Sequence, residues 1–138
     1  MQRVIGLDLG SKTIGIAKSD LLQLIASAHK TIVFQNNDYQ MALHLLLDEI
    51  EQFDIEVIVL GLPKHMSGDV GIRGEISIDF KAKLEEAGYK VVLWDERLST
   101  KAATQALISG NVSRKKRKDV IDQVAAVIIL QGYLDSKN

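Results

Sequence analysis

The 138-residue sequence predicts an α/β fold, a mixed five-stranded sheet flanked by helices on both faces. Three observations predict it. Strand-like segments come three in a row at the start, and helical and strand periods alternate from Tyr39 onward. Between them, Val57-Ile58-Val59-Leu60 is a short continuous apolar run, the pattern of a strand covered on both faces.

The elements follow in order. Arg3 to Leu9 is rich in β-formers, and after Gly10-Ser11-Lys12 the chain resumes as Thr13 to Ala17, which reads as the return strand of a hairpin. A third strand is expected within Ile25 to Phe34. Asn36, Asn37 and Asp38 are cap candidates for a helix near Tyr39 to Gln52, where Leu43, Leu46, Leu47 and Ile50 recur at helical spacing. The apolar strand ends at Gly61-Leu62-Pro63, and a glycine-bearing loop from Lys64 to Gly74 follows, a candidate substrate cover or an ordinary turn. In the next helix Ile76, Phe80, Leu84 and Ala87 share a face, and Gly88 is its natural stop. Lys90 to Trp94 makes the last strand, Ser99 caps a helix towards Ser109-Gly110, and the final helix spans roughly Asp119 to Leu134. Antiparallel strands followed by βαβ units are compatible with an RNase H-like fold.

Residues 1–138 are expected to form a single domain, with 46% hydrophobic residues available for a core. The chain has no cysteine, which excludes disulfide scaffolds, zinc ribbons and thiol nucleophiles. No signal-peptide pattern opens it, and no apolar run approaches the about 20 residues that span a bilayer, so a cytoplasmic location without membrane contact is expected. Net charge is −1, but Arg114, Lys115, Lys116, Arg117 and Lys118 are consecutive cations, and the rest of the chain carries 12 basic against 18 acidic residues. One basic stretch on an acidic body can mark a polyanion contact.

Three carboxylates are candidates for chemistry. Asp8 ends the first strand at the sheet edge where α/β ligands usually bind, and Glu96 follows the last strand towards the same edge. Asp122 lies early in a helix otherwise dominated by Val124 to Leu130, where a buried carboxylate needs a partner or a cation. Converging carboxylates repel one another unless a cation intervenes. Mg2+, with Mn2+ as the alternative, prefers oxygen ligands, and two such ions about 4 Å apart can activate a water against a phosphodiester. His29, His44 and His65 are scattered and suggest no metal cluster.

Each residue also has a plainer reading. Asp8 can simply open a hairpin turn, Glu96 can pair with Arg97, and Asp122 can complete a cap with Asp119. The basic run can be a solvated segment. Beside the helix of Asp122 it is instead expected to contact a nucleic-acid backbone, and Lys12 and Arg97 join it as expected nucleic-acid contacts. Aromatic stacking candidates are few, which favours backbone recognition over base readout.

Four segments then match a known pattern in order: Gly6-Leu7-Asp8-Leu9-Gly10-Ser11-Lys12-Thr13-Ile14-Gly15, Gly61-Leu62-Pro63, Asp95-Glu96-Arg97-Leu98-Ser99-Thr100, and Asp122-Gln123-Val124-Ala125-Ala126-Val127-Ile128-Ile129-Leu130. On them, essentially the whole chain resembles the YqgF family, relatives of the RuvC-type Holliday junction resolvases that are named as pre-16S rRNA nucleases. The resemblance implies an RNase H-like fold and a metal-dependent nuclease whose acidic site falls on Asp8, Glu96 and Asp122. Lys64-His65 departs from the Leu-Asn that relatives often carry after the Gly-Leu-Pro turn.

The implied activity is hydrolysis of nucleic-acid phosphodiesters, with processing of the 5′ end of pre-16S rRNA favoured over branched DNA. Junction resolution is the alternative. It requires two symmetric cuts and hence a two-fold dimer, whereas the sequence carries no obvious dimer signature and suggests a monomer or weak homodimer. Two other classes remain. A non-catalytic RNA-binding or transcription-associated protein would use the basic run alone. The Asp8-Leu9-Gly10-Ser11 turn also looks like the phosphate turn of actin and hexokinase-type ATPases, but those use two such domains.

Overall fold

The computed structural model describes residues 1–63, 70–95 and 114–137, with the backbone alone described over 114–122. Eight elements are described: β1 (Arg3–Leu9), β2 (Thr13–Ser19), β3 (Ala26–Val33), α1 (Tyr39–Ile50), β4 (Ile55–Leu62), α2 (Ile72–Glu86), β5 (Val91–Asp95) and α3 (Arg114–Lys137). The strands form one sheet in the order β3-β2-β1-β4-β5. β1, β2 and β3 pair antiparallel, and β1, β4 and β5 pair parallel, so the mixed five-stranded sheet is as the sequence predicts.

Period-two alternation sends successive residues to opposite faces. Ile5, Leu7 and Leu9 of β1 join Ile58 and Leu60 of β4 in a core with Ala42, Leu46 and Ile50 of α1 and Phe80 and Leu84 of α2. Val4, Val57 and Val59 take the other face, with Ala126, Ile129, Leu130 and Leu134 of α3. The continuous run in β4 thus divides its residues between two cores, which is why it shows no polar face.

Local signals account for most boundaries. Asp38 caps α1, its carboxylate accepting from the Met41 N–H at 3.1 Å. Leu46 and Ile50 are buried as expected, while Leu43 and Leu47 pack only partly against the core. α2 ends before Gly88, whose φ of +102° terminates it. Ala87 is the C-cap and lies exposed rather than on the buried face.

Two boundaries differ from the sequence reading. The segment from Lys64 to Gly74 is not all loop, because α2 begins at Ile72 with Gly71 as N-cap. Gly74 sits in its first turn because a side chain there would collide with Val70 Cγ1 and lie 2.8 Å from the Pro63 carbonyl oxygen. The final helix starts at Arg114, not near Asp119. Lys and Arg are good helix formers, so the basic run extends the helix instead of preceding it. Asp119 and Asp122 are therefore interior helical positions, and the capping reading of that pair is wrong. The helix expected from Ser99 lies outside the described residues.

Candidate active site

α3 crosses β1 at backbone contact. A Cβ on Gly6 would lie 2.7 Å from Leu130 Cβ and 3.0 Å from the Ala126 carbonyl oxygen, so only glycine permits this approach. Gly6 and Asp8 share a face of β1, the face α3 covers. The helix also has a defined direction. Its C-terminal half is tied to the edge where β1 begins: Gln131 Oε1 accepts from the Ala26 N–H at 2.8 Å, and Gln131 Nε2 donates to the Leu24 carbonyl at 3.0 Å. Lys137 Nζ donates to Gln23 Oε1 at 2.6 Å and pairs with Glu56 at 3.6 Å. The N-terminal half of α3 consequently runs towards the opposite, carboxyl edge, where β1 and β4 end.

Asp8 lies at that edge and is half-buried. Its cross-strand partner on β2 is Gly15. On β4 the register Leu7↔Leu60 puts Gly61 next in line, paired in turn with Trp94 of β5. Both strand neighbours of Asp8 on the α3 face are thus glycines. Glycine has no side chain, so neither of these two directly opposed positions projects one beside the carboxylate. Position 122 occupies the row 122-126-130-134 of α3, one turn before Ala126, and the other three members are fully buried against the sheet. The backbone of α3 therefore carries Asp122 to the end of the sheet where Asp8 stands.

Lys12 is exposed in the tight turn after β1, which Gly10 closes by donating to the Thr13 carbonyl at 2.7 Å. β5 ends at Asp95, opposite Leu62, on the same edge. Glu96 and Arg97 lie outside the described residues. Arg114, Lys115, Lys116, Arg117 and Lys118 form the start of α3, at its carboxyl-edge end. Among the described residues no three His, Cys, Asp or Glu gather as a metal group. His29 is taken up by Glu49 at 3.0 Å, and His44 lies 3.7 Å from Asp48.

Two carboxylates away from this edge are held below their ordinary range. Asp20 is lowered by the backbone N–H groups of Ile25 and Leu24 at the far end of β2, and Glu49 by hydrogen bonds from His29 and Lys30.

A network at the carboxyl edge escaped the sequence reading. Arg73, in the first turn of α2, donates from Nη2 to the Leu9 carbonyl at 3.2 Å and from Nη1 to Tyr39 Oη at 2.8 Å. Tyr39 Oη donates onward to Asn37 Oδ1 at 3.1 Å, and the Asn37 N–H to the Ser11 carbonyl at 2.8 Å. The only hint in the sequence is an arginine between Gly71 and Gly74, the segment expected to be loop.

Comparison with known proteins gives the family and the fold. Residues 2–136 match the family model RuvX, described as Holliday junction resolvase. A protein from Staphylococcus aureus (strain JH9), named "Putative pre-16S rRNA nuclease", is 46% identical over 136 residues, covering 97% of this chain and 96% of the relative. Among solved structures, Thermus thermophilus RuvC in complex with a Holliday junction substrate aligns with a TM-score of 0.61 at 13% identity, over 99% of this chain and 96% of that one. The fowlpox virus resolvase in complex with Holliday junction DNA gives 0.57 at 11% identity, over 98% of each chain. At such identities the two structures speak for the fold, which is RuvC-like and hence RNase H-like. No helix among the described residues is long and apolar enough to cross a membrane.

Proposed function

The chain belongs to the RuvX family of Holliday junction resolvases, and from that membership we propose that it is an endonuclease that hydrolyses nucleic-acid phosphodiesters with a divalent cation. The observation that carries this reading is Asp8 at the carboxyl edge, bordered by Gly15 and Gly61 on the face along which α3 brings position 122. Asp8, Glu96 and Asp122 are the catalytic carboxylates in this reading.

Their donor set suits a hard cation, Mg2+ or in its place Mn2+, because all three offer carboxylate oxygens. The two glycines fit the same assignment, since neither directly opposed position places a side chain beside Asp8. When bound, the cation supplies the charge that offsets three like-charged carboxylates and lowers the pKa of a water. The chain's own contribution is placement. β1 and α3 fix two of the carboxylates on rigid elements, and Lys12, Arg97 and the run Arg114 to Lys118 neutralise backbone phosphates and hold the strand in register.

The favoured substrate is the 5′ end of pre-16S rRNA, supported by the name of the 46%-identical relative. The second reading, Holliday junction resolution, is favoured by the description of the family itself. We take residues 1–138 as one cytoplasmic nuclease domain, a monomer or weak homodimer. The discriminating experiment is cleavage of a labelled pre-rRNA 5′ segment and of a four-way DNA junction with Mg2+, by wild type and Asp8→Asn. RNA cleavage lost in the variant supports rRNA maturation. Paired symmetric cuts in the junction support resolution and require a dimer. Binding of both without cleavage would overturn the nuclease reading in favour of a binding protein.

A further inference from the structure

The geometry points to Arg73 as the positioning residue of this site: its guanidinium holds the end of β1, and with it Asp8, at the rung where the sheet ladder runs into a proline. This inference rests on Asp8 being a catalytic carboxylate, as proposed above.

The ladder between β1 and β4 runs as far as Leu7↔Leu60. By the same register, the next donor to the Leu9 carbonyl would be the N–H of residue 63. That residue is Pro63, which has none. Leu9 is buried, so its carbonyl needs a partner from within the protein. Arg73 Nη2 supplies it at 3.2 Å. The close approach of Gly74 to the Pro63 carbonyl sets the first turn of α2 over the ends of both β1 and β4, which brings Arg73 within reach.

The second arm of the guanidinium reaches Tyr39 Oη at 2.8 Å, and through Asn37 to the Ser11 carbonyl in the turn that follows Asp8. One side chain thereby joins α2, α1, the end of β1 and the hairpin turn. Both acceptors are neutral oxygens, and the two arms diverge. A planar fork can serve two such acceptors at once, whereas an ammonium group lacks that rigid geometry. Asp8 is the residue directly before Leu9, so what fixes the Leu9 carbonyl fixes the backbone that carries the Asp8 carboxylate.

The test compares wild type, Arg73→Gln, Arg73→Lys, Tyr39→Phe and Asp8→Asn on whichever substrate wild type cleaves, together with calorimetric titration of each protein with Mn2+ alone. Loss of positioning predicts a kcat for Arg73→Gln lower by roughly ten- to a hundredfold, with KM within twofold. It also predicts weaker Mn2+ binding, only partial recovery in Arg73→Lys, and a smaller kcat loss in Tyr39→Phe. If Arg73→Gln does not fold, Arg73→Lys carries the test on the same kcat criterion. A raised KM with unchanged kcat would overturn the inference, because it would mark Arg73 as a substrate contact. Wild-type kcat and Mn2+ affinity in the variants would overturn it equally. Full cleavage by Asp8→Asn would instead sink the reading of Asp8 itself, while an inactive Asp8→Asn beside a fully active Arg73→Gln would sink only the role of Arg73.

Discussion

Gly6 and Leu130 stand in backbone-level contact, a Cβ at position 6 falling 2.7 Å from the Cβ of Leu130. Neither partner can retreat easily, since Leu130 is fully buried and β1 is the central strand. Gly6→Ala should therefore destabilise the protein by about 1–3 kcal/mol, the usual cost of overpacking a filled core. A thermal midpoint several degrees below wild type is the expected measurement. Cleavage should fall further than stability, because the displaced helix carries Asp122.

Removing the cation should abolish cleavage and leave binding. In the proposed site the three carboxylates work only with bound metal, while phosphate contacts come from the basic residues. Chelation of wild type and substitution Asp8→Asn are expected to give the same result, cleavage at background with nucleic acid still retained in a gel-shift assay. Nucleic-acid binding that disappeared with the metal would refute this division of labour.

The basic run should govern the salt dependence of binding. If all five cations meet duplex phosphates, the slope of log K against log salt approaches about −4.5. Replacing Arg114 to Lys118 with serines should flatten that slope and weaken binding, with Mn2+ affinity close to wild type. Affinity measured at four or five salt concentrations decides it.

Acid should loosen the contact between β3 and α1. Glu49 is held below its ordinary 4.5 chiefly by the hydrogen bond to His29, then by Lys30. A depressed folded pKa means that the stabilisation is present in full above the unfolded value and is lost as pH falls through the folded one. The loss therefore sets in below pH 4.5. Solvent screening keeps it small, on the order of 0.5 kcal/mol. Urea midpoints for Glu49→Gln should lie below wild type at neutral pH and converge with it in acid.

The sheet was legible because its signals are local. The apolar run of β4, the three opening strands, the Asp38 cap and the Gly88 stop all lie within a few residues of what they specify. The start of α3 was less legible, because a run of cations suits a helix and a solvated segment alike. At the site, Asp8 could be read from its place at a strand end. The meaning of Gly15 and Gly61 could not, since it depends on which strands are neighbours. Arg73 was invisible for the same reason: its partners Leu9 and Tyr39 are 64 and 34 residues away in sequence. The resemblance to the family implies Glu96 and Asp122 as its partners, which the residues alone left ambiguous.

The crossing at Gly6 also makes α3 a lever. With the fulcrum near residue 128, the arm to position 122 is about 9 Å and the arm to Lys137 about 14 Å. A tilt of roughly 10° would sweep the short arm through about 1.5 Å, a displacement that matters to reacting groups. What resists such a tilt is the grip on the long arm, where Gln131 is fastened to Leu24 and Ala26 and Lys137 to Gln23. The place of position 122 at one edge of the sheet is therefore set in part by the segment from Gln23 to Ala26 at the other.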